Sequence, residues 1–154
     1  MKYKYLVLTR LQNLENKELM DSTAMSVTGA LLNYYKEGSL EKFMLWDPSM
    51  SNQGKHVNDL PYRFTATLWK DEEKLGQFIQ STYHKKAMAL KHGGTISGFK
   101  VIKSTVENSE SIDLFTSLKK SFADDFLEIN NDSGNALTND NAEYTLGLMG
   151  LLGQ

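Results

Sequence analysis

A chain of 154 residues, 40% of them hydrophobic, is long enough to close one core without a covalent staple. It has no cysteine, which excludes disulfides, thiolate zinc sites, iron–sulfur clusters and a cysteine nucleophile. With 17 basic and 19 acidic residues the net charge is -2, so the basic footprint of nucleic-acid binding is missing, and no apolar run approaches the roughly 18–20 residues that a bilayer span demands.

The N-terminal residues show no apolar segment followed by a small-residue cleavage site, so the expectation is a cytoplasmic protein with neither a membrane nor a nucleic acid as partner. Lys2 to Leu11 alternates Tyr3, Tyr5, Val7 and Thr9 against Lys4, Leu6, Leu8 and Arg10, a two-residue period that predicts a strand. From Leu14 to Lys36, Met20, Ala24, Val27, Leu31 and Tyr34 recur at three- and four-residue spacing, which gathers them on one stripe of a helix. Gly38 stands where a C-terminal cap belongs. Leu40 to Trp46 reads as a second strand, stopped by Asp47-Pro48, and Ser49 to Leu60 as a polar loop.

The third strand, Tyr62 to Trp69, runs directly into a helix whose first turn carries Asp71, Glu72 and Glu73, where the macrodipole favours negative charge. Leu75, Phe78, Ile79 and Thr82 form its apolar face, Gly93-Gly94 closes it, and Ile96 to Ser104 reads as a fourth strand. The order βαββαβ with right-handed crossovers predicts an α+β, ferredoxin-like domain over residues 1–106, an antiparallel four-stranded sheet with two helices on one face. Residues 107–154 read as an extension packing on the same domain or on a partner. Within it Ile112, Phe115, Leu118, Phe122, Phe126 and Ile129 predict one amphipathic helix capped by Ser109 or Ser111. Asn130 to Glu143 reads as an exposed loop, and Tyr144 to Gln154 as a Gly-Leu-Met-rich tail.

Large side chains on both faces of the strands mean that the face without helices needs a cover. Tyr3, Tyr5 and Val7 oppose Leu6 and Leu8, while Phe99 and Val101 oppose Ile96 and Ile102. Two such sheets packed face to face in a homodimer answer that need, and the Phe stripe of the third helix offers a rival solution within one chain. The homodimer is the expectation adopted, with an apolar pocket for a small hydrophobic ligand in each copy.

Among the side chains able to do chemistry, His84 comes first. On an unbroken helix from Asp71 it would lie about 180° from Leu75, facing solvent beside Lys85 and Lys86. A break at Gln80-Ser81-Thr82, with Ser81 or Thr82 capping a new segment, would reset the phase and turn it inward. His92 lies roughly 12 Å further along such a helix and His56 in a loop without ligand spacing, so no metal site is expected. Arg10 and Arg63 sit on otherwise apolar strands, where each needs an anion, an interface salt bridge or a place at the rim. Trp46 and Trp69 fall at strand ends, either in the core or walling a cavity, and Tyr83 and Tyr62 add phenolic donors. Glu72-Glu73 and Asp124-Asp125 read as solvated pairs. No phosphate-binding glycine loop, His-Glu-x-x-His or Gly-x-Ser-x-Gly is present.

Thr67-Leu68-Trp69 with the acidic helix start, Phe78-x5-His84, Thr9-Arg10-Leu11 and Lys42-Phe43-Met44-Leu45-Trp46 together resemble a known group over about Lys2 to Ser104. That group is the dimeric α/β-barrel superfamily of antibiotic-biosynthesis-type monooxygenases, and spheroidene monooxygenase-like proteins in particular. The resemblance implies the broken helix, an inward His84, and oxidation of an apolar or aromatic small molecule. In that reading His84 takes a proton from an activated carbon acid or phenol and Arg10 stabilises the anion. Trp46, Trp69, Tyr83 and Arg63 contact the substrate. It also implies two options for the cofactor, none or haem with His84 as axial ligand. The alternative is a non-catalytic dimeric module that binds haem or another hydrophobic ligand.

Overall fold

The computed structural model describes residues 3–12, 17–48, 62–81, 84–85, 88–89, 97–127, 129 and 136–150. The expected loop at 49–60, Tyr83, His56, His92 and Gly93-Gly94 lie outside these. Strand β1 (Tyr3–Gln12) pairs antiparallel with β3 (Tyr62–Trp69) on one side and β4 (Ser97–Glu107) on the other. Strand β2 (Leu40–Trp46) pairs with β3, which gives the order β4-β1-β3-β2. Helices α1 (Lys17–Glu37) and α2 (Glu72–Ile79) make the two crossovers. The arrangement is ferredoxin-like.

Alternation assigns the side chains. Leu6, Leu8, Met44, Trp46, Phe64, Ala66 and Leu68 share one buried cluster, while Phe43, Trp69, Tyr5, Val7 and Leu45 join Leu31, Leu75 and Phe78 in another. The first set faces away from α1 and α2, and the second faces them. A register shift between Leu40 and Lys42 lets Leu40 join the helix-side cluster while Met44 and Trp46 point the other way. Gly38 closes α1 at φ +92, with its N–H donating to Tyr35 O and that of Ser39 to Tyr34 O, a turn that a Cβ would strain.

Residues beyond β4 depart most from the sequence reading. The expected helix over 112–129 is two, α3 (Leu114–Ser121) and α4 (Ala123–Phe126), because Phe122 at φ -120, ψ 43 leaves helical geometry between them. Asp113, rather than Ser109 or Ser111, caps α3 by accepting from the Thr116 N–H at 3.0 Å. The polar stretch read as a loop contains β5 (Leu137–Thr138), a fifth strand on the edge of β2, and the start of α5 (Ala142–Leu148). Asparagine side chains do there what backbone does elsewhere. Asn139 Oδ1 accepts from the Phe43 N–H at 3.1 Å, Asn141 Oδ1 from the Thr138 N–H at 2.9 Å, and Asn141 Nδ2 donates to Ala136 O. Composition alone reads such residues as exposed linker.

The chain after β4 therefore wraps the sheet. Leu114, Leu118 and Phe122 cap the face that lacks α1 and α2, with Phe115 and Phe126 set against Trp46. β5 then crosses the edge, and α5 reaches the helix side, where Ala142 and Leu146 are buried and Glu143 meets Lys36 at 2.7 Å. Lys4, 6% exposed, pairs with Glu41 and donates to Glu110 O, and Lys42 donates to Ile112 O, fastening the wrap at its start. The cover that a second copy was expected to provide comes from the same chain.

Candidate functional site

The site begins with how α2 ends. Asp71 caps its start, accepting from the Lys74 N–H at 3.2 Å, and Gln80 closes it after two turns. Ser81 then serves both sides of the break. Its hydroxyl donates to Phe78 O at 2.6 Å and accepts from the His84 N–H at 3.2 Å, while its carbonyl accepts from the Lys85 N–H at 3.0 Å. The phase resets as the capping argument required. His84 becomes half-buried, with its ring edge-on to Phe78 at 5.4 Å between centroids.

Burial pushes the His84 pKa below its ordinary 6.5, the Lys103 charge pushes the same way, and a hydrogen bond to Ile79 O opposes both. The imidazole is therefore mostly neutral at pH 7. With one ring N–H given to Ile79 O, the other ring nitrogen keeps its lone pair.

Next to it, β1, β4 and α2 enclose a groove of about 190 Å³ lined by Tyr5, Leu6, Val7, Leu75, Lys103, Ser104 and Thr105. Antiparallel register sets Tyr5 opposite Thr105 and Val7 opposite Lys103 on the helix side of the sheet. A hydrogen bond with Glu72 holds the Tyr5 phenol above its usual pKa, so it stays protonated. The groove thus joins an apolar floor to the Lys103 ammonium, and His84, which is not among its lining side chains, lies close enough to feel that charge.

The candidates named from the sequence divide between the two faces. Trp69, fully buried, stands on the His84 side: its Nε1–H donates to Thr67 Oγ1 at 2.8 Å, and its ring lies 5.5 Å from Phe78 and 5.3 Å from Tyr34. Trp69, Phe78 and His84 form a continuous aromatic run. Arg63 shares that face but sits six residues along β3 from Trp69, roughly 20 Å away at strand rise. Its guanidinium meets Asp21 at 2.6 Å and Asp47 at 3.5 Å. Arg10 points to the opposite face, where Nη1 contacts both Asp125 oxygens at 2.8–2.9 Å and the guanidinium lies 6.0 Å from the Tyr62 ring. Trp46 is on that opposite face as well, packed on Phe64, Phe115 and Phe126, and its buried indole N–H has no acceptor among the described residues. The sheet separates Arg10 and Trp46 from His84.

Lys103 and Tyr5 were missed as a pair because their meeting depends on β1–β4 register. The available signal was a lysine following Val101-Ile102 in a strand otherwise suited to burial. Among the described residues, no group of three or more His, Asp or Glu gathers to hold a metal, and no helix is long and apolar enough to cross a membrane. Haem does not fit this groove: about 190 Å³ is below even the ~300–1,000 Å³ usual for drug-sized ligands.

No protein-family profile and no curated protein matches the chain. Among solved structures, the chain is similar to a variant of SnoaB, a cofactor-independent oxygenase from Streptomyces nogalater, at 10% identity and a TM-score of 0.44. It is also similar to a candidate antibiotic biosynthesis monooxygenase from Deinococcus radiodurans, at 12% identity and a TM-score of 0.45. Each likeness covers 71% of this chain and 96% of the other. The second of these carries the antibiotic-biosynthesis-monooxygenase name, the first is described as a cofactor-independent oxygenase, and neither is described as a spheroidene monooxygenase. The ferredoxin-like assignment rests on strand order and register, independently of these likenesses.

Proposed function

We propose that the protein is a small monooxygenase-like enzyme that oxidises an apolar or aromatic small molecule, with His84 as its base. The observation that carries this reading is the Ser81 break, which turns a neutral imidazole inward beside an apolar groove. A carbon acid activated by an adjacent ring gives its proton to the free nitrogen of His84, and the carbanion reacts with dioxygen. For a CH₂ centre one oxygen atom stays as the ketone, and the other leaves as water with the two hydrogens. Out of bulk water, the imidazole faces less competition from solvent protons.

Oxygen-electrode assays with a panel of hydroquinones and single-ring phenols that carry a benzylic CH₂ activated by a neighbouring carbonyl test the proposal. Substrate-dependent uptake that falls about 10²-fold or more in His84→Ala supports it. Unchanged uptake removes His84 from the mechanism, and binding without uptake leaves a ligand-binding module. The homodimer belongs to the same proposal, but the second copy has to use a surface other than the face that α3 and α4 cover. Sedimentation velocity measures it.

A further inference from the structure

We infer that Lys103 is the anion anchor of the groove, and that its ligand is a single aromatic ring bearing an ionisable hydroxyl. The inference rests on the groove being the site proposed above and adds its ligand class. The size limit comes first. About 190 Å³ exceeds the ~150 Å³ known to admit benzene and lies below the ~300–1,000 Å³ usual for drug-sized ligands, which suits a single ring.

Chemistry follows from what surrounds that space. Val7 and Leu75 offer an aromatic ring its apolar walls, and Lys103, directly across from Val7, brings the groove's cation. Lys103 makes no salt bridge among the described residues, although Lys4, Arg10, Lys36, Arg63 and Lys74 all do. The titratable and charged groups on the elements around the groove are Tyr3, Lys4, Tyr5 and Arg10 on β1, Lys100 and Glu107 beside Lys103 on β4, Asp71, Glu72, Glu73 and Lys74 at α2, and His84 beyond the break. Tyr5 is engaged with Glu72, Asp71 caps its own helix, and Lys4, Arg10 and Lys74 are ion-paired elsewhere. The exposed Glu73 and Glu107 form no salt bridge with Lys103 among the described residues. A phenolic oxygen set on the Lys103 ammonium meets a positive charge, with the His84 imidazole within electrostatic reach of the same charge, so the phenolate forms in place. Arg10, the anion stabiliser expected from sequence, is held by Asp125 on the other side of the sheet.

The test uses 4-nitrophenol, whose phenolate absorbs in the visible and whose phenol does not, with nitrobenzene as its neutral counterpart. Titrated into the full-length protein below the probe's own pKa, 4-nitrophenol is expected to develop the phenolate band on binding. Lys103→Met, which keeps the aliphatic stem, should weaken binding about tenfold and abolish the band, Lys103→Arg should keep both, and nitrobenzene affinity should be the same in all three. Lys103 is exposed, so loss of folding is not expected, and a thermal melt of each variant checks it. Equal affinity of wild type and Lys103→Met for 4-nitrophenol, or binding without the phenolate band, overturns the inference. The two readings fail separately. Lys103-dependent binding with no oxygen uptake from any oxidisable ring leaves the anchor and removes the oxygenase. His84-dependent uptake with kcat/KM indifferent to Lys103→Met does the reverse.

Discussion

Leu118→Ala tests whether the chain's own C-terminal wrap is part of the core. Leu118 is fully buried beneath α3, in the cluster that holds Phe64, Ala66 and Leu68, each also at 0% exposure. Truncation removes three carbons, about 2.4 kcal/mol at ~0.8 per methylene, before any cavity is counted. The walls of that cavity are sheet side chains and rings locked against one another, with Phe64 stacked on Trp46 and tilted on Phe122 and Phe126, so collapse is restricted. The sum comes to about 3.5 kcal/mol, within the 2–5 range for buried Leu→Ala, and to a fall in Tm of about 7–14 °C for a domain of this size. Urea denaturation followed by far-UV circular dichroism and tryptophan fluorescence measures it, with one coincident transition expected, since Trp46 lies on this face and Trp69 on the other. Leu127→Ala is the control: at 83% exposure it should stay within about 0.5 kcal/mol of wild type. A Leu118→Ala protein as stable as the control, or one that loses helix while the sheet still melts at the wild-type midpoint, refutes the wrap as a structural layer.

Three further outcomes are expected. Asp125→Ala removes the carboxylate from Arg10 in a pair only 18% and 14% exposed, and should cost about 2 kcal/mol in urea, less than a fully buried pair because some solvent reaches it; additivity with Arg10→Met would show that the two do not interact. His84 has a folded pKa below its free value of 6.5, so the unfolded chain takes up the proton first as pH falls. Its contribution is fully present above about 6.5 and is lost on acidification through that value, so the gap between wild type and His84→Gln should narrow from pH 8 to pH 5; parallel curves would show an unperturbed histidine. Gly29→Ala, within α1 and with nothing within 4 Å of the added methyl, should stabilise by about 0.8 kcal/mol, whereas Gly38→Ala at φ +92 should destabilise by about 1 kcal/mol; thermal melts with the same sign for both would contradict the backbone assignment.

What was legible in the chain follows the reach of each signal. The two-residue period of β1 and β3 and the three- and four-residue spacing of α1 are local, and they sufficed for the βαββ order. The Ser81 break was legible too, because a serine that can cap three residues before a histidine is a local competition between hydrogen bonds. The wrap was not: Asn139 and Asn141 act by replacing backbone partners on β2 and at the turn, which composition cannot distinguish from a solvated linker. Likewise Arg10 and His84 both read as site residues, and only the pleat sets them on opposite faces.

By itself, then, the sequence determined the elements through β4, their order, the place where α2 could break and the excess of apolar surface on both sides of the sheet, since each depends on residues within a turn or two of one another. Tertiary structure decided what covers that surface, that His84 turns inward, and which cation stands near it. Those outcomes depend on strand register and on where a segment more than a hundred residues from β1 comes to rest, and in a sheet a shift of one residue exchanges the faces of every side chain.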